Sequence, residues 1–434
     1  MIRLLINITI CFIISSGLAF GQFDIIKKVK EKVEKKTEEK VDEGIDNTVD
    51  EAFEGNKEKE NETETETETE QTTENSNDVV NENSGTTKKK EQLKSYSKFD
   101  FVPGTNLIFY DDFSMDAVAD FPQKWNTNGS GEVVTLNSYP GNWFKLNNAA
   151  SYIPYLETGS FGENFTFEVD FLYNVPENQN YGTLYFDFFS SDKVDEVPTS
   201  SGPNAPGIMF NMNAAKTGSA DFTAVGVSQD LERSNPNRTD VKAFNDGVVN
   251  RLSFAFNKQR FRVYLNEKKV MDLPRILQSG ISINRVNIRT WYWNTDYDYS
   301  ILIKDIRVAE GQPDTRNDLI TKGKIVTHGI LFDSGSDKIK PESYGTLKDI
   351  ATTLKDNSSV KVKVVGHTDS DGTDESNLDL SKRRADAVKS ALINEFGISD
   401  SQLETDGKGE SEPIGQNDSP EGKANNRRVE FVKL

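Results

Sequence analysis

Between residues 99 and 310 apolar and polar residues alternate in short runs. Phe165-Thr166-Phe167-Glu168-Val169-Asp170-Phe171 alternates over its whole length, and Leu184-Tyr185-Phe186-Asp187-Phe188 is a mostly aromatic run. Successive side chains of a strand point to opposite faces, so this period predicts strands with one buried face. Further runs follow closely: Arg251-Leu252-Ser253-Phe254-Ala255-Phe256, Arg260-Phe261-Arg262-Val263-Tyr264-Leu265 and Val270-Met271-Asp272-Leu273. Asn257-Lys258 and Asn266-Glu267-Lys268-Lys269, lying between them, read as hairpin turns. Many short strands with regular turns predict a β-sandwich over residues 97–311. A transmembrane β-barrel is the alternative, but its strands need about 9–11 residues to cross a bilayer. The run from 260 to 265, held between charged turns, is too short for that.

The period then changes. Residues 312–322 are mostly polar and read as a joint. Pro341 stands where a first helical turn begins, and Leu347, Ile350, Ala351 and Leu354 follow at helical spacing. Val360, Val362 and Val364 alternate as a strand. Ser381 is a candidate N-cap for a helix whose apolar face is Ala385, Val388, Leu392 and Phe396, ended by Gly397. Val429-Glu430-Phe431-Val432 closes the chain with a strand. Residues 312–434 therefore predict a βαβαβ-type α/β sandwich.

Before residue 97 the apolar faces disappear. Arg3, an apolar run from 4 to 14 and Ala19-Phe20-Gly21 read as a signal peptide over 1–21, with cleavage before Gln22. The apolar run is short for a membrane span of ~20 residues. Residues 22–55 read as a charged helical segment. Ile25, Val29, Val33, Thr37, Val41, Ile45, Val49 and Phe53 recur every fourth residue. Such a stripe drifts by about 40° per step, so it holds no fixed seam toward a partner. A solvated helix and a helix lying on a partner or a membrane surface both fit it. Residues 56–96, with their Thr-Glu repeats, have almost nothing to bury and read as a disordered acidic linker. A flexible chain of that length spans roughly 35 Å.

A chain of 434 residues is long enough for two or three domains. Its net charge of −19 argues against nucleic acid, whose binding needs clustered Lys and Arg. The one cysteine, Cys11, lies in the signal segment. The processed chain would therefore have no disulfide, no thiol nucleophile and no cysteine for lipidation.

Three C-terminal stretches form a multi-part signature: His367-Thr368-Asp369-Ser370-Asp371-Gly372, Asn377-Leu378-Asp379-Leu380-Ser381-Lys382-Arg383-Arg384-Ala385 and Asn426-Arg427-Arg428-Val429-Glu430-Phe431. With Gly366, Gly407, Gly409, Pro413, Asn417 and Gly422 falling in the same order, this part of the chain resembles the OmpA-like peptidoglycan-binding domain. The resemblance implies a periplasmic or outer membrane-associated protein of a Gram-negative envelope. It also implies a ligand, the diaminopimelate of peptidoglycan stem peptides. Its D-centre carries a carboxylate and an ammonium on one carbon. The planar fork of an arginine suits the first and a carboxylate the second. In the family the Asp of His-Thr-Asp and the Arg of Leu-Ser-x-x-Arg-Ala fill these roles; here they fall on Asp369 and Arg384. Arg384 is expected in the first turn of a helix, where free N–H groups also favour an anion. Thr368, Asn377, Leu380 and Ser381 are expected on the same loop as secondary contacts, with Arg427 as a brace. The alternative is a structural Asp369–Arg384 salt bridge without ligand. The extra acids Asp371, Asp374, Glu375 and Asp379 either weaken binding to an anionic glycopeptide or simply face solvent.

The middle region resembles, at the level of strand texture, the concanavalin-like, laminin-G type jelly roll. Laminarinase-type glycosidases of that fold carry Glu-x-Asp-x-x-Glu on one strand. Here Glu168-Val169-Asp170-Phe171-Leu172-Tyr173 ends in tyrosine instead, and retaining hydrolysis needs two carboxyl groups about 5 Å apart. Only His328 and His367 are present, with no Ser–His–Asp order or metal-ligand cluster, so no catalysis is expected. Trp291 and Trp293, with Tyr297 and Tyr299, are candidates for stacking on a glycan, or for core. Asp111, Asp112 and Asp305 are candidate calcium ligands, or ordinary strand-end acids. The expectation is a peptidoglycan-moored envelope protein whose sandwich binds a glycan or a protein. An interaction scaffold whose sandwich binds an envelope protein, and a degenerate glycan hydrolase, are the alternatives.

Overall fold

The alternating run at 165–171 becomes a central strand of the protein. In the computed structural model, which describes residues 99–434 apart from 157–158, 176–180, 194, 200 and 292–298, this strand is Asn164–Asn174. The signal segment, the charged helical segment and the acidic linker lie outside the described residues. Phe165, Phe167, Val169, Phe171 and Tyr173 all enter one apolar core. Glu168 and Asp170 turn to the opposite face, as period two requires.

Two sheets stack face to face over this core. The first runs Lys268–Leu273, Arg260–Leu265, Asn250–Asn257, Asn164–Asn174, Ser300–Glu310, Asn142–Leu146, Gly131–Thr135, with Asn106–Asp111 added beside Ser300–Glu310. The second runs Asn237–Lys242, Ser219–Val227, Gly207–Ala214, Leu184–Phe189, Arg285–Thr290, Ser151–Pro154, Trp125–Thr127. Aromatic rings join the sheets: Phe254 of the first lies 5.1 to 5.2 Å from Phe186, Phe188 and Phe210 of the second. The turn between 257 and 260 has Lys258 at φ 52°, and Asn266 in the next turn also adopts φ 52°. Lys268 and Lys269, expected in that turn, instead begin the next strand. Tight hairpins need such positive φ, and asparagine tolerates it better than most residues.

A bulge interrupts Ser300–Glu310 between Lys304 and Arg307, with Asp305 at φ 52°. Bulges re-aim side chains. This one leaves Asp305 accepting the Tyr110 hydroxyl at 2.7 Å.

The C-terminal domain is a mixed four-stranded sheet ordered Lys324–Thr327, Val429–Lys433, Val362–His367, Leu403–Gly409. Only the last pair is parallel. Helix Tyr344–Asp356 buries Leu347, Ile350, Ala351 and Leu354, as their spacing predicts. The long helix Asp374–Asn394 buries Ala385, Val388 and Leu392. Gly397, at φ 69°, closes it by donating to the Ile393 carbonyl at 3.0 Å. The helix does not start at Ser381. Its N-cap is Thr373, in a capping box with Ser376, and Ser381 lies buried inside the helix. Three residues support the earlier start: Thr373 and Ser376 satisfy each other's backbone N–H groups, and Gly372 at φ 110° makes the turn into them. The joint at 312–322 also holds more structure than its polarity suggests. Asp314 caps a short helix, Thr315–Ile320, whose Leu319 is fully buried.

Glycine lets the long helix lie on the parallel strands. A Cβ on Gly366 would be driven into the Ser381 carbonyl, and one on Gly407 into the Lys382 backbone. Gly366→Ala is therefore expected to destabilise the protein by about 1–3 kcal/mol, the usual range for overpacking against backbone. A denaturation midpoint unchanged from wild type would refute it.

The two halves share a seam. Phe99 and Phe101 pack on Tyr264 of the first sheet, with centroids 5.5 and 5.4 Å away. The Phe101 backbone lies directly against Gly345 of the C-terminal domain. Lys124 and Glu421 form an ion pair at 2.5 Å across the same seam.

Candidate functional site

The signature residues converge where the strands Val362–His367 and Leu403–Gly409 end. His367 is the last residue of its strand rather than part of a loop. It is 2% exposed and its Nε2 lies 3.7 Å from Glu430. Thr368 follows, buried, its N–H donating to the Gly409 carbonyl at 2.9 Å while its Oγ1 has no protein partner. Asp369, 8% exposed, accepts from Arg427 Nη1 at 2.7 Å through Oδ2 and from the Asp371 N–H at 3.2 Å through Oδ1.

Asn377, Leu380 and Ser381, expected on the loop, belong instead to the first turns of the long helix. The side-chain amide of Asn377 donates to the Asp369 carbonyl at 3.2 Å and to Glu410 at 2.5 Å, which pins the loop to the helix. Ser381 Oγ donates to the Leu378 carbonyl and accepts from the Gly409 N–H at 2.8 Å. Its role is to hold helix against strand. Leu380 is half-buried on the same helix.

Arg384 lies well inside the helix, not in its first turn, so the free N–H groups of the helix start lie elsewhere. Its Nε donates to the Ser336 carbonyl at 2.9 Å, and its guanidinium sits 4.8 Å from the Phe332 ring centroid. Burial pushes its pKa down, with Asp369 partly opposing. The direct Asp369–Arg384 salt bridge does not form. Asp369 pairs with Arg427, and Arg384 has no carboxylate within 4 Å among the described residues. Arg427 also stands 5.5 Å from the Tyr110 ring of the sandwich. The extra acids are largely occupied: Asp371 pairs with Lys423 and Asp379 with Arg383, both at 2.7 Å. Asp374 and Glu375 lie in the first helical turn, where acids are favourable.

Sequence reasoning missed Phe332, Ser336, Glu410 and the sandwich residue Tyr110. Glu410, next to Gly409 of the signature, was the one with a local signal.

Behind this site His328 makes one contact, Nε2 with the Asn425 carbonyl at 3.0 Å, while its Nδ1 has none and is shut from solvent. Burial pushes the imidazole down to about 4, and Arg307 adds to the shift. Between its ordinary 6.5 and that value, the unfolded chain binds a proton the folded chain excludes. The stability from this residue is thus present above 6.5 and lost as pH falls toward 4. His328→Gln should flatten the fall in denaturant midpoint across that window. An unchanged pH profile would remove His328 as its source.

The sandwich candidates fare differently. Trp291 is exposed, 6.2 Å from the Tyr185 ring, and Tyr299 is buried in the core. Trp293 and Tyr297 lie outside the described residues. Glu168 and Asp170 are both gripped by Arg251, at 3.4 and 2.6 Å. The calcium candidates do not converge. Asp111 spends its two oxygens on the Phe113 N–H and the Trp125 indole, Asp112 accepts from Ser114, and Asp305 accepts from Tyr110. Among the described residues no group of three or more acids, histidines or cysteines is placed to hold a metal.

Residues 331–427 match the OmpA family. Over 101 residues the chain is 45% identical to outer membrane porin F of Pseudomonas aeruginosa, covering 23% of this chain and 29% of that protein. It is 45% identical over 105 residues to a probable lipoprotein, YiaD, of Escherichia coli K12, covering 24% of this chain and 48% of that protein. The crystal structure of the peptidoglycan-associated lipoprotein of Burkholderia pseudomallei is 30% identical. That match covers 28% of this chain and all of the other, with a TM-score of 0.24. The chain thus spans less than half the length of the first two of these proteins.

Proposed function

We propose that this chain, whose C-terminal domain is an OmpA family domain, is a non-covalent peptidoglycan-binding protein of the outer membrane or periplasm. Asp369 and Arg384 grip the D-centre of diaminopimelate, and the grip moors the sandwich to the cell wall. The carrying observation is that these two charges do not neutralise each other. Among the described residues Arg384 has a carbonyl and a ring for company but no carboxylate, so its fork is available to a ligand carboxylate. Asp369, though paired with Arg427, has acceptor capacity left, since a carboxylate offers about four lone-pair sites. The match of residues 331–427 to the OmpA family supports an envelope role.

The test is co-sedimentation of the full chain with diaminopimelate-type sacculi. Wild type should pellet with them, and Arg384→Ala should stay in the supernatant. Failure of the wild type to pellet would hand the lead to the scaffold reading.

The sandwich, read as a concanavalin-like jelly roll, is a binding module without catalysis. Glu168 and Asp170 pair with Arg251, and Tyr173 stands where the second glutamate of the hydrolase pattern would be. A glycan is favoured by one observation on the outer face of the second sheet. Exposed Trp291 adjoins Tyr185, whose other neighbour is the Arg289 guanidinium 3.6 Å from its ring. Flat aromatic faces of this kind stack on sugar rings. Trp291→Ala should abolish any hits of the full chain on a glycan array, with no reducing sugar released by wild type. Hits that survive the substitution would place the glycan elsewhere. An array without hits would favour a protein partner.

A further inference from the structure

The seam between the first sheet and the C-terminal domain encloses a cavity of about 210 Å³. Its walls come from both halves: Tyr110, Asp305 and Arg307 on one side, Phe332, Lys340 and Arg384 among those on the other. Six arginines and lysines line it against two carboxylates, Glu168 and Asp305, so the space is electropositive.

Half of those cations are already matched. Arg251, Arg427 and Arg428 hold carboxylates at 2.6, 2.7 and 2.8 Å. Arg384 and Arg307 are not matched as closely. Among the described residues Arg307 reaches only Glu168, at 3.5 Å, and its Nη2 has no hydrogen-bond partner. Burial pushes its pKa down more than Glu168 restores it. A buried guanidinium left short of acceptors is costly, and an incoming anion relieves that cost.

We propose that the peptidoglycan site is composite: the sandwich supplies Arg307 to hold the L-centre carboxylate of diaminopimelate while Arg384 holds the D-centre one. This rests on the peptidoglycan reading and deepens it, because it names the ligand as a stem peptide with free, non-amidated carboxylates. It also gives the bulge at Asp305 a purpose. The bulge breaks the register between Lys304 and Arg307 and brings Asp305 onto Tyr110, whose ring faces Arg427.

The experiment is calorimetric titration of the full chain with two soluble ligands. One is a stem tripeptide ending in diaminopimelate with its L-centre carboxylate free. The other is the same tripeptide amidated at that carboxylate; the D-centre is intact in both. Wild type should prefer the acid by about tenfold, the value of one charge-assisted fork. Arg307→Gln should erase the preference, lowering affinity for the acid to that for the amide. Should that variant not fold, Glu168→Gln/Arg307→Gln removes the pair together, leaves Arg251 its Asp170, and carries the same expectation. A variant that keeps the wild-type preference would overturn the inference, as would a wild type that binds acid and amide alike. Both outcomes leave the mooring role standing. A wild type that binds neither peptide would overturn the mooring role, and this inference with it.

Discussion

Asp369→Ala is expected to weaken binding to sacculi by about a hundredfold or more, the scale seen when one member of a buried charge pair is removed. Two losses combine. The ligand ammonium loses its carboxylate. Arg427, which donates to Asp369 at 2.7 Å, loses its partner and is free to swing toward the site. That second effect is repulsive toward an ammonium. Asp369→Asn separates charge from shape. Its single side-chain oxygen can still accept from Arg427 but then gives up the Asp371 N–H, and it carries no negative charge. It is expected to fold with a near-normal denaturation midpoint and still lose most of the binding. Binding isotherms on sacculi at fixed ionic strength read both variants. An Asp369→Asn protein that binds like wild type would mean that the carboxylate positions the loop and does not meet the ligand's charge.

Phe254→Ala is expected to cost about 3–5 kcal/mol of stability, the range for removing a sealed aromatic from a core. Phe254 is fully buried and stands among five rings: Phe167, Phe186, Phe188, Phe210 and Phe261. Rings packed on several sides cannot all collapse into the space left behind. The cavity therefore persists, and its cost adds to the lost transfer energy. Against a typical total stability of about 5–15 kcal/mol, the sandwich would stand close to its unfolding threshold. Phe254→Leu should lose much less, because it fills more of the volume. Urea denaturation followed by tryptophan fluorescence measures both. A loss below about 1 kcal/mol for Phe254→Ala would contradict a rigid core at that position.

Much of the fold was legible along the chain. The alternation at 165–171 placed Phe165, Phe167, Val169 and Phe171 on the buried face. The strand Arg260–Leu265 falls where its pattern put it, and the helical faces 347–354 and 385–392 are buried as spaced. The candidate site was legible in part. The signature named residues that do gather, yet the helical pattern put Ser381 at a helix start and so Arg384 in a first turn. Both errors share a cause. A serine before an apolar helical face is a local signal, and it was outweighed by Thr373 and Ser376, whose mutual capping begins the helix earlier. The fate of Trp291 was hidden for another reason: an aromatic near a strand end is exposed or buried according to what covers the sheet there.

By itself, then, the sequence determined which faces of its strands and helices turn inward, and which residue types the C-terminal site contains. Those properties depend on periods of two and three to four residues, which any stretch carries within itself. Only the tertiary structure decided who pairs with whom. Asp369 meets Arg427 rather than Arg384, across 58 residues, and Tyr110 meets Asp305 across 195. Each pair forms within one half of the molecule, where the chain leaving the strand Val362–His367 meets the end of the helix Pro420–Asn426, and where the bulge at Asp305 meets the strand Asn106–Asp111. A charged side chain accepts any complementary neighbour, so its own sequence context leaves the choice open.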